Sequence, residues 1–328
     1  GGLGFIGSNF IQHIFKNTDW EVTNVDAEFF GSSHHNLETI SDSKNYTFVK
    51  GNITNRKLMD DLISKCDCIV NFAAESHVDR SILDANPFLI SNIRGVFTIL
   101  DVLKERKKKL VQISTDEVFG TIVEGSATEK SCFNPSSPYS ATKASAELLI
   151  NAYITTYGLD VITTRCTNNY GPHQFVEKLI PKSIGLCRQD RKIPVYGTGK
   201  SIRDWIHVQD HCEALLLIYL KGKIGESYNI GSGTNLKNID LAKKLIKIAK
   251  KKSLKIHMKA KIKFVKDRPG HDFRYALNNK KILSKLGWKT KIPLYFGLSK
   301  TFDWYMNNKA FFNSVSKRHY INRFGLKK

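Results

Sequence analysis

Residues 1–10 have the sequence GGLGFIGSNF, which places Gly1, Gly4 and Gly7 at a regular spacing of three. The segment that follows, 8–16, is predicted to be a helix. Glycines in the turn before a helix let backbone amides approach a diphosphate, and the positive end of the helix stabilises its charge. The stretch therefore predicts a site for a dinucleotide at the start of the chain.

An aspartate at the end of the next predicted strand supports this prediction. Asp26 closes WEVTNVD (20–26) and lies 19 residues after Gly7. A carboxylate at that distance can bind the ribose hydroxyls of adenosine, which favours NAD over NADP. The alternative interpretation is a glycine-rich turn followed by an incidental Asp.

Apolar runs alternate with helical patterns along much of the chain. This alternation predicts βαβ units, and we expect an α/β fold with a Rossmann-like, doubly wound, mostly parallel sheet. The predicted strands are 20–26, 46–53, 66–75, 109–115 and 160–168, and the predicted helices include 86–109 and 139–158.

The pattern becomes irregular from about residue 172, which indicates a second, smaller C-terminal domain that binds the substrate. We expect a Rossmann domain over 1–171 and 205–235, a substrate-binding domain over 172–204 and 236–306, and a basic tail over 307–328.

The position of the glycines is unusual. Such a fingerprint normally follows the first strand of the sheet, which lies at its centre. No apolar run precedes the glycines here, so we interpret the sequence as lacking that N-terminal strand. We expect a gap between the strands predicted at 20–26 and 66–75.

The formal net charge is +21, and two lysine-rich segments account for part of it. Segment 254–265 alternates apolar residues with Lys or His, as in a strand with one solvated face. In segment 238–252, Leu241, Leu245 and Ile248 recur at helical spacing with lysines opposite. We interpret these lysines as solvated faces, and the alternative is a surface that binds a polyanion.

The sequence has no pattern typical of a membrane-spanning segment, a signal peptide or a metal site. Its longest apolar stretch, ALLLIYL from Ala214, is too short to cross a bilayer, and no signal-peptide pattern is present. The six cysteines do not have the spacing of metal ligands. We therefore expect a cytoplasmic protein with reduced thiols and no metal site.

QISTDEVFG (112–120) ends a predicted buried strand with a hydroxyl and two carboxylates, Thr115, Asp116 and Glu117. A parallel sheet binds its ligand at this edge. Neighbouring carboxyls in opposite protonation states can act as an acid and a base. Because neighbours on a regular strand point to opposite faces, we expect irregular backbone at 115–117.

The pattern Tyr-x-x-x-Lys occurs five times, so spacing alone does not select a pair. Only Tyr139 and Lys143 open a long helix downstream of a strand that ends in a hydroxyl. One helical turn places both side chains on one face. We expect the Lys charge, together with a nicotinamide cation, to lower the pKa of Tyr139 so that it can act as a base.

Seven segments together resemble the nucleotide-sugar 4,6-dehydratases of the extended short-chain dehydrogenase/reductase family, in particular those that act on dTDP-glucose. The resemblance extends from residue 1 to about residue 306, and Asp-Glu after the active-site Thr is its most specific feature. The segments are GGLGFIGS, NFAAESHVDRSI, ISTDEVFG, YSATKASAE, NNYGPHQFVEKLIP, GTGKSIRDWIHVQDHC and DRPGHDFRYALN.

The resemblance implies a three-step dehydration of dTDP-glucose to the 4-keto-6-deoxy sugar with NAD as cofactor. Tyr139 would take the C4 hydroxyl proton while Thr115 hydrogen-bonds the same oxygen. Glu117 would then remove the C5 proton, and Asp116 would protonate the departing C6 hydroxyl. The hydride taken from C4 would finally return to C6.

The resemblance also implies two sets of binding residues, and the cations among them suit a substrate diphosphate. The NAD set is Gly1, Gly4, Phe5, Ile6, Gly7, Asp26, Ala27, Glu28, Phe29, Asn52, Ile53, Ala73, Ala74, Glu75, Ser76, His77, Ser91, Tyr139, Lys143 and Asn169. The nucleotide-sugar set is His77, Thr115, Asn168, Lys178, Leu179, Pro194, Val195, Tyr196, Arg203, Asn238, Asp267, Arg268, Pro269, Gly270 and His271.

Three departures from the family pattern bear on these assignments. Phe119 replaces the usual Tyr, Phe273 replaces a common Arg, and DAEFFGSSHHN (26–36) differs from the usual loop. The last two affect the expected details of nucleotide and adenosine binding.

Other functions are compatible with parts of this pattern. Within the family the alternatives are a UDP-glucose 4,6-dehydratase and a nucleotide-sugar 4-epimerase. A catalytically silent RNA-binding Rossmann protein is a distant alternative, because it has no need of the five catalytic residue types together. We expect no membrane or nucleic-acid partner and a homodimer formed through the helices that start near Pro87 and Tyr139.

Overall fold

The computed structural model describes residues 1–252, 262–309 and 311. The strands are β1 (Val22–Asp26), β2 (Tyr46–Lys50), β3 (Cys68–Asn71), β4 (Lys109–Thr115), β5 (Val161–Cys166), β6 (Asn168–Tyr170), β7 (Ile193–Tyr196), β8 (Ile202–His207), β9 (Ser227–Ile230), β10 (Asn235–Lys237) and β11 (Ile262–Val265). The helices are α1 (Phe5–Asn17), α2 (Arg56–Ile63), α3 (Val78–Leu83), α4 (Asn86–Phe88), α5 (Gly95–Arg106), α6 (Pro138–Tyr157), α7 (Leu179–Arg188), α8 (Val208–Lys221), α9 (Asn238–Lys251), α10 (Lys280–Leu286) and α11 (Leu294–Asn307).

The fold is α/β with mostly parallel strands, as predicted. The strand order β3-β4-β5-β9 forms one parallel sheet, and β1 pairs in parallel with β2. Strands β1 to β5 lie within the five predicted strands. The predicted single helix over 86–109 is wrong in detail, because a π-helical segment, Leu89–Arg94, separates α4 from α5.

Strands β1 and β3 do not pair with each other in the described part of the chain, which confirms the predicted gap. The glycine-rich turn lies between their carboxyl ends. The Gly1 nitrogen donates to the Val25 carbonyl, and a Cβ at Gly1 would lie 2.4 Å from the Ala73 nitrogen. The tight approach explains why a glycine occupies this position.

Strand β4 lies inside the sheet, and its side chains pack on both faces. Leu110 packs in a cluster with residues of α5 and α6, whereas Val111 packs with residues of α1 and α8. Successive side chains of a strand point to opposite faces, so the near-continuous apolar run predicts helices on both sides. This doubly covered sheet places the carboxyl end of β4 at an edge where ligands can approach.

A third apolar cluster combines residues of α7, α9 and α11 with strands β7 and β8. Strand β7 pairs with β11, and β6, β8 and β10 form a three-stranded sheet. In α9 the predicted apolar face of Leu241, Leu245 and Ile248 is buried.

Most of the Lys-rich strand predicted at 254–265 and of the tail at 307–328 lies outside the described residues. Within the described ranges, every helix is too short or too polar to span a membrane.

Candidate active site

The chain leaves β4 through a 3-10 turn, Asp116–Phe119, that carries both predicted catalytic carboxyls. The Thr115 hydroxyl accepts a hydrogen bond from the Glu117 amide at 3.3 Å and so caps this turn. The same hydroxyl donates to Asp116 at 3.2 Å. The predicted irregular backbone is therefore confirmed, and it allows neighbouring side chains to face one pocket.

Helix α6 brings Tyr139 and Lys143 to this strand end. A capping box at Ser137 and a proline at the first helical position, Pro138, begin the helix at a defined residue. The Lys143 ammonium donates to the Ile113 carbonyl at 2.6 Å, and Tyr139 and Thr115 line the same pocket. The five predicted catalytic residues all line one pocket.

The two carboxyls differ in environment. Burial raises the pKa of Asp116 well above its usual range, and the negative charge of Glu117 adds to the effect. Oxygen Oδ2 of Asp116 is buried without a hydrogen-bond partner in the described structure. Burial also raises the pKa of Glu117, but Arg268, Arg203 and Lys178 oppose that shift. This asymmetry favours a protonated Asp116 beside a more readily ionised Glu117.

The pKa of Tyr139 differs from the expectation. Burial raises the pKa of Tyr139 well above its usual value, and the charge of Glu117 raises it further. Burial likewise lowers the pKa of Lys143 to about 8. For the protein groups alone, desolvation therefore dominates, and the predicted lowering of the Tyr139 pKa depends on the nicotinamide cation that it assumed.

The larger pocket extends from the catalytic residues to the glycine-rich turn. All the predicted NAD residues line it except Glu28. Glu28 instead forms ion pairs with His34, at 2.6 Å, and with Lys50.

The start of this pocket fits a dinucleotide diphosphate. Gly4 begins α1 without a side-chain cap, which leaves the first amides of the helix available to an anion. A Cβ at Gly7 would lie 2.5 Å from the Gly1 carbonyl oxygen, so a side chain there would deform the turn. The Asp26 carboxylate accepts from the amides of Leu3, at 3.0 Å, and Glu28, at 2.9 Å, which fixes its orientation.

A second pocket adjoins the first, and Glu117 lines both. Of the predicted nucleotide-sugar residues, it is lined by His77, Asn168, Lys178, Leu179, Pro194, Val195, Tyr196, Arg203, Asn238, Arg268 and His271. Thr115 lines the larger pocket instead. Asp267, Pro269 and Gly270 do not line either pocket, although Asp267 holds His271 at 2.6 Å.

Several residues of the second pocket were not predicted. The Tyr275 hydroxyl lies 3.3 Å from Glu117 and 2.8 Å from Asp272. Buried Asp79 accepts from Arg268 at 3.0 Å and from Tyr196 at 2.7 Å. Tyr275 and Asp79 lie inside quoted segments, but their contacts cross long sequence separations that no local pattern encodes.

Arg203 is held by neighbouring backbone. Its guanidinium donates to the carbonyls of Ile202, at 2.7 Å, and Asp272, at 2.8 Å, and lies 4.1 Å from the centre of the Tyr275 ring. These contacts fix its direction toward the second pocket. The described residues contain no group of His, Cys, Asp or Glu side chains arranged to hold a metal ion.

A Tyr–Lys pair that faces a dinucleotide pocket at the edge of a doubly wound sheet defines the short-chain dehydrogenase/reductase class. The chain belongs, more narrowly, to the family described as GDP-mannose 4,6 dehydratase, which matches residues 1–301. The resemblance to nucleotide-sugar 4,6-dehydratases is thus confirmed.

Individual relatives are similar over nearly their whole length. A dTDP-glucose 4,6-dehydratase of Streptomyces niveus is 43% identical over 321 residues, which cover 96% of this chain and 94% of the relative. The low-salt glycan biosynthesis protein Agl12 of Haloferax volcanii is 44% identical over 309 residues, with 94% and 97% coverage. The solved structure of DesIV (dTDP-glucose 4,6-dehydratase) from Streptomyces venezuelae, with NAD and TYD bound, has a TM-score of 0.90 at 38% identity and covers 95% of this chain and 97% of that chain.

Proposed function

We propose that this chain dehydrates dTDP-glucose to dTDP-4-keto-6-deoxyglucose with NAD as its cofactor. One observation carries the proposal: Asp116 and Glu117 lie side by side next to Tyr139, in environments that favour opposite protonation states. An epimerase that only oxidises and reduces C4 has no step that needs this carboxyl pair. The names of the relatives and the NAD in the solved DesIV structure support the same conclusion.

The first step removes one hydrogen from C4 of the glucosyl ring and the proton of its C4 hydroxyl. NAD, when bound, accepts the C4 hydride and later returns it to C6. Tyr139 accepts the C4 hydroxyl proton, and Thr115, which lines the same pocket, hydrogen-bonds the same oxygen. Lys143 lies one helical turn from Tyr139, and its charge favours the phenolate. The product of this step is a 4-ketone.

The second step eliminates water across C5 and C6. The 4-ketone acidifies the C5 proton, and Glu117 removes it because the cations Arg268, Arg203 and Lys178 favour its ionised form. Asp116, whose pKa burial raises well above its usual range, gives its proton to the departing C6 hydroxyl. Hydride addition at C6 and reprotonation at C5 then complete the product.

The second pocket supplies the cations for the nucleotide diphosphate. Lys178, Arg203 and Arg268 line it, and His271 lies beside them. Arginine binds phosphate oxygens through paired N–H groups, which gives geometric selectivity as well as charge. We assign the nucleotide to this pocket and the NAD to the larger one, so the glucosyl ring lies where Glu117 joins the two.

We also propose that the protein forms a homodimer through α5 and α6. Phe97 on α5 and Leu148 and Tyr157 on α6 are exposed apolar side chains, and α5 packs against α6. An exposed apolar surface on two adjacent helices suits a homodimer interface. Sedimentation as a dimer at micromolar concentration is expected, and Leu148→Glu should give monomers. A wild-type chain that sediments as a monomer would contradict this assembly.

Two further assignments remain proposals from the sequence. They are a cytoplasmic location and the division into a Rossmann domain, 1–171 with 205–235, and a nucleotide-sugar domain, 172–204 with 236–306. Most residues of the apolar clusters under the parallel sheet and around α7, α9 and α11 follow this division, but Ile282 and Trp288 pack under the sheet and Tyr170 and Trp205 pack in the other cluster.

The decisive experiment is incubation of the protein with dTDP-glucose and NAD, followed by mass analysis of the sugar nucleotide. A dehydratase gives a product lighter by one water, whereas an epimerase gives an isomer of unchanged mass. UDP-glucose in a parallel reaction tests the alternative nucleotide, since thymine and uracil differ by one methyl group. Unchanged mass with both substrates would overturn the proposal.

A further inference from the structure

A buried ion pair lies behind the catalytic turn, outside the steps described above. Arg165 on β5 donates to the Glu147 carboxylate on α6 through Nε, at 2.9 Å, and Nη2, at 2.7 Å. Both side chains are buried. Both of these bonds end on Oε2, and Nε also donates to Oε1 at 3.1 Å, so the buried guanidinium meets the carboxylate through two N–H groups and is strongly directional.

The pair contacts the chain on both sides of the catalytic residues. Before them, the Ser114 hydroxyl donates to Glu147 at 2.5 Å. After them, the Arg165 guanidinium lies 5.1 Å from the ring centre of Phe119, the last residue of the 3-10 turn. Thr115, Asp116 and Glu117 are therefore held between two contacts that both lead to the same ion pair.

The orientation of Arg165 is itself fixed. Its Nη1 donates to the Glu129 carbonyl at 3.2 Å and to the Ser227 hydroxyl at 3.3 Å, and its guanidinium lies 5.2 Å from the Phe133 ring centre. The guanidinium consequently has defined partners on each side. It cannot turn away from Glu147 without losing several of these contacts.

Glu147 also belongs to the helix that carries the other catalytic residues. It lies four residues after Lys143 and eight after Tyr139, so all three side chains share one face of α6. We infer that Glu147 and Arg165 are positioning residues that set the Asp116–Glu117 turn relative to Tyr139 and Lys143. The inference rests on the proposed function for the meaning of those catalytic residues.

Stability alone is a poor reason for this pair. A buried ion pair gains little net free energy, and apolar residues of similar size often replace it without loss. Apolar residues could fill the same space. They could not accept a hydrogen bond from the Ser114 hydroxyl or place a planar cation beside the Phe119 ring. The pair therefore fixes the orientation of the catalytic turn and does more than fill the core.

The test replaces both members together, as Glu147→Leu with Arg165→Met, so that no unpaired charge remains buried. Single turnover with dTDP-glucose separates the steps: bound NADH reports oxidation, and the mass of the product reports elimination. We expect elimination to slow by about 30–100-fold, the scale of a displacement near 1 Å. Oxidation should slow less, because of the residues held by the pair only Thr115 acts in that step, as a hydrogen-bond partner of the C4 oxygen. NADH should then accumulate on the enzyme.

Two matched variants support the comparison. Ser114→Ala removes only one contact with the pair and should slow elimination by about 5–10-fold, within the range for one misplaced group. Ser145→Ala removes a hydroxyl on the same helix that bonds the Ala141 carbonyl, apart from the ion pair, and should leave both steps unchanged. The Ser114 variant also keeps the inference testable if the double variant does not fold. Equal loss of both steps, or unchanged elimination in a folded variant, would overturn the inference.

A substrate-free measurement separates this inference from the proposed function. Hydrogen exchange of the amides of 116–119 should be at least about 10-fold faster in the double variant, because the turn loses its anchors. If wild type gives no dehydrated sugar, the proposed function fails while this comparison still stands. Unchanged exchange in the folded double variant would overturn the positioning role whatever the substrate.

Discussion

The Tyr275 hydroxyl lies 3.3 Å from Oε2 of Glu117, and both side chains line the second pocket. The same hydroxyl lies 2.8 Å from Oδ2 of Asp272, which also accepts from Ser136. Tyr275 is buried, so its hydroxyl has few other partners. The phenol has a single proton, which Glu117 and Asp272 share, and Asp272 also accepts from Ser136, so the hydroxyl gives the proposed base a directional partner.

Tyr275→Phe should slow elimination by about 10–100-fold while C4 oxidation stays nearly unchanged. The variant keeps the ring that packs against Arg203 but removes the hydroxyl that orients Glu117. Single-turnover measurement of bound NADH and of product mass separates the two steps. Tyr219→Phe, on the distant α8, is a control with no expected effect. A drop in both steps by the same factor would contradict the assignment.

Elimination should have a bell-shaped pH dependence, because Glu117 must be ionised and Asp116 protonated. Both pKa values are raised by burial, so the acid limb lies above the ordinary Glu range and the alkaline limb reports loss of the Asp116 proton. Arg268 is the cation that most strongly lowers the pKa of Glu117. Arg268→Gln should therefore move the acid limb of the single-turnover profile to higher pH.

The control for this shift is Arg106→Gln. Arg106 pairs with Asp60 on the outside of the molecule and should leave the profile unchanged. Measurements at saturating substrate separate the shift from weaker binding of the diphosphate. An acid limb that stays in place in Arg268→Gln would show that the base is not Glu117.

Much of this site could be predicted from sequence because its chemistry is local. Tyr139 and Lys143 are one helical turn apart, and Thr115, Asp116 and Glu117 follow one strand. The glycine fingerprint and Asp26 likewise lie at the two ends of one local segment, α1 followed by β1. Such positions require only the period of a helix or a strand, which the residue pattern supplies.

The rest depends on packing between distant parts of the chain. Tyr275 reaches Glu117 across 158 positions, and Arg268 reaches Asp79 across 189. The direction of the Tyr139 pKa also required the structure, because burial determines it and burial is not encoded by the Tyr-x-x-x-Lys spacing. The π-helical break at 89–94 was likewise hidden inside a continuous helical pattern.

Asp116→Asn should raise stability and abolish most elimination. Asp116 has a folded pKa above its unfolded value, so its stabilising contribution is full below the unfolded pKa and is lost as pH rises through the folded pKa. Asn cannot ionise, so the free energy of unfolding of the variant should fall less than that of wild type as the pH rises to 8. Its Tm there should be about 2–4 °C above wild type, the shift for about 1 kcal/mol in a large domain.

The same variant lacks the proton donor for the C6 hydroxyl. Elimination should fall by about 100–1,000-fold, which is the usual contribution of a positioned acid. Thermal unfolding at pH 5 and pH 8, combined with product mass, checks both effects. Wild type that is more stable than the variant at pH 8 would show that Asp116 is not held protonated by the fold.

The fate of the C4 hydrogen provides the most specific prediction. If NAD serves as acceptor and donor within one turnover, deuterium at C4 of dTDP-glucose must reappear at C6 of the same product molecule. The C5 proton has a different fate, because Glu117 holds it on an exchangeable carboxyl, so unlabelled substrate in heavy water should gain deuterium at C5. Glu117→Gln should stop that C5 exchange while bound NADH still forms, whereas Tyr139→Phe should prevent both. A C4 label that appears in solvent or in free NADH, or that returns to C4, would contradict an internal elimination by Asp116 and Glu117.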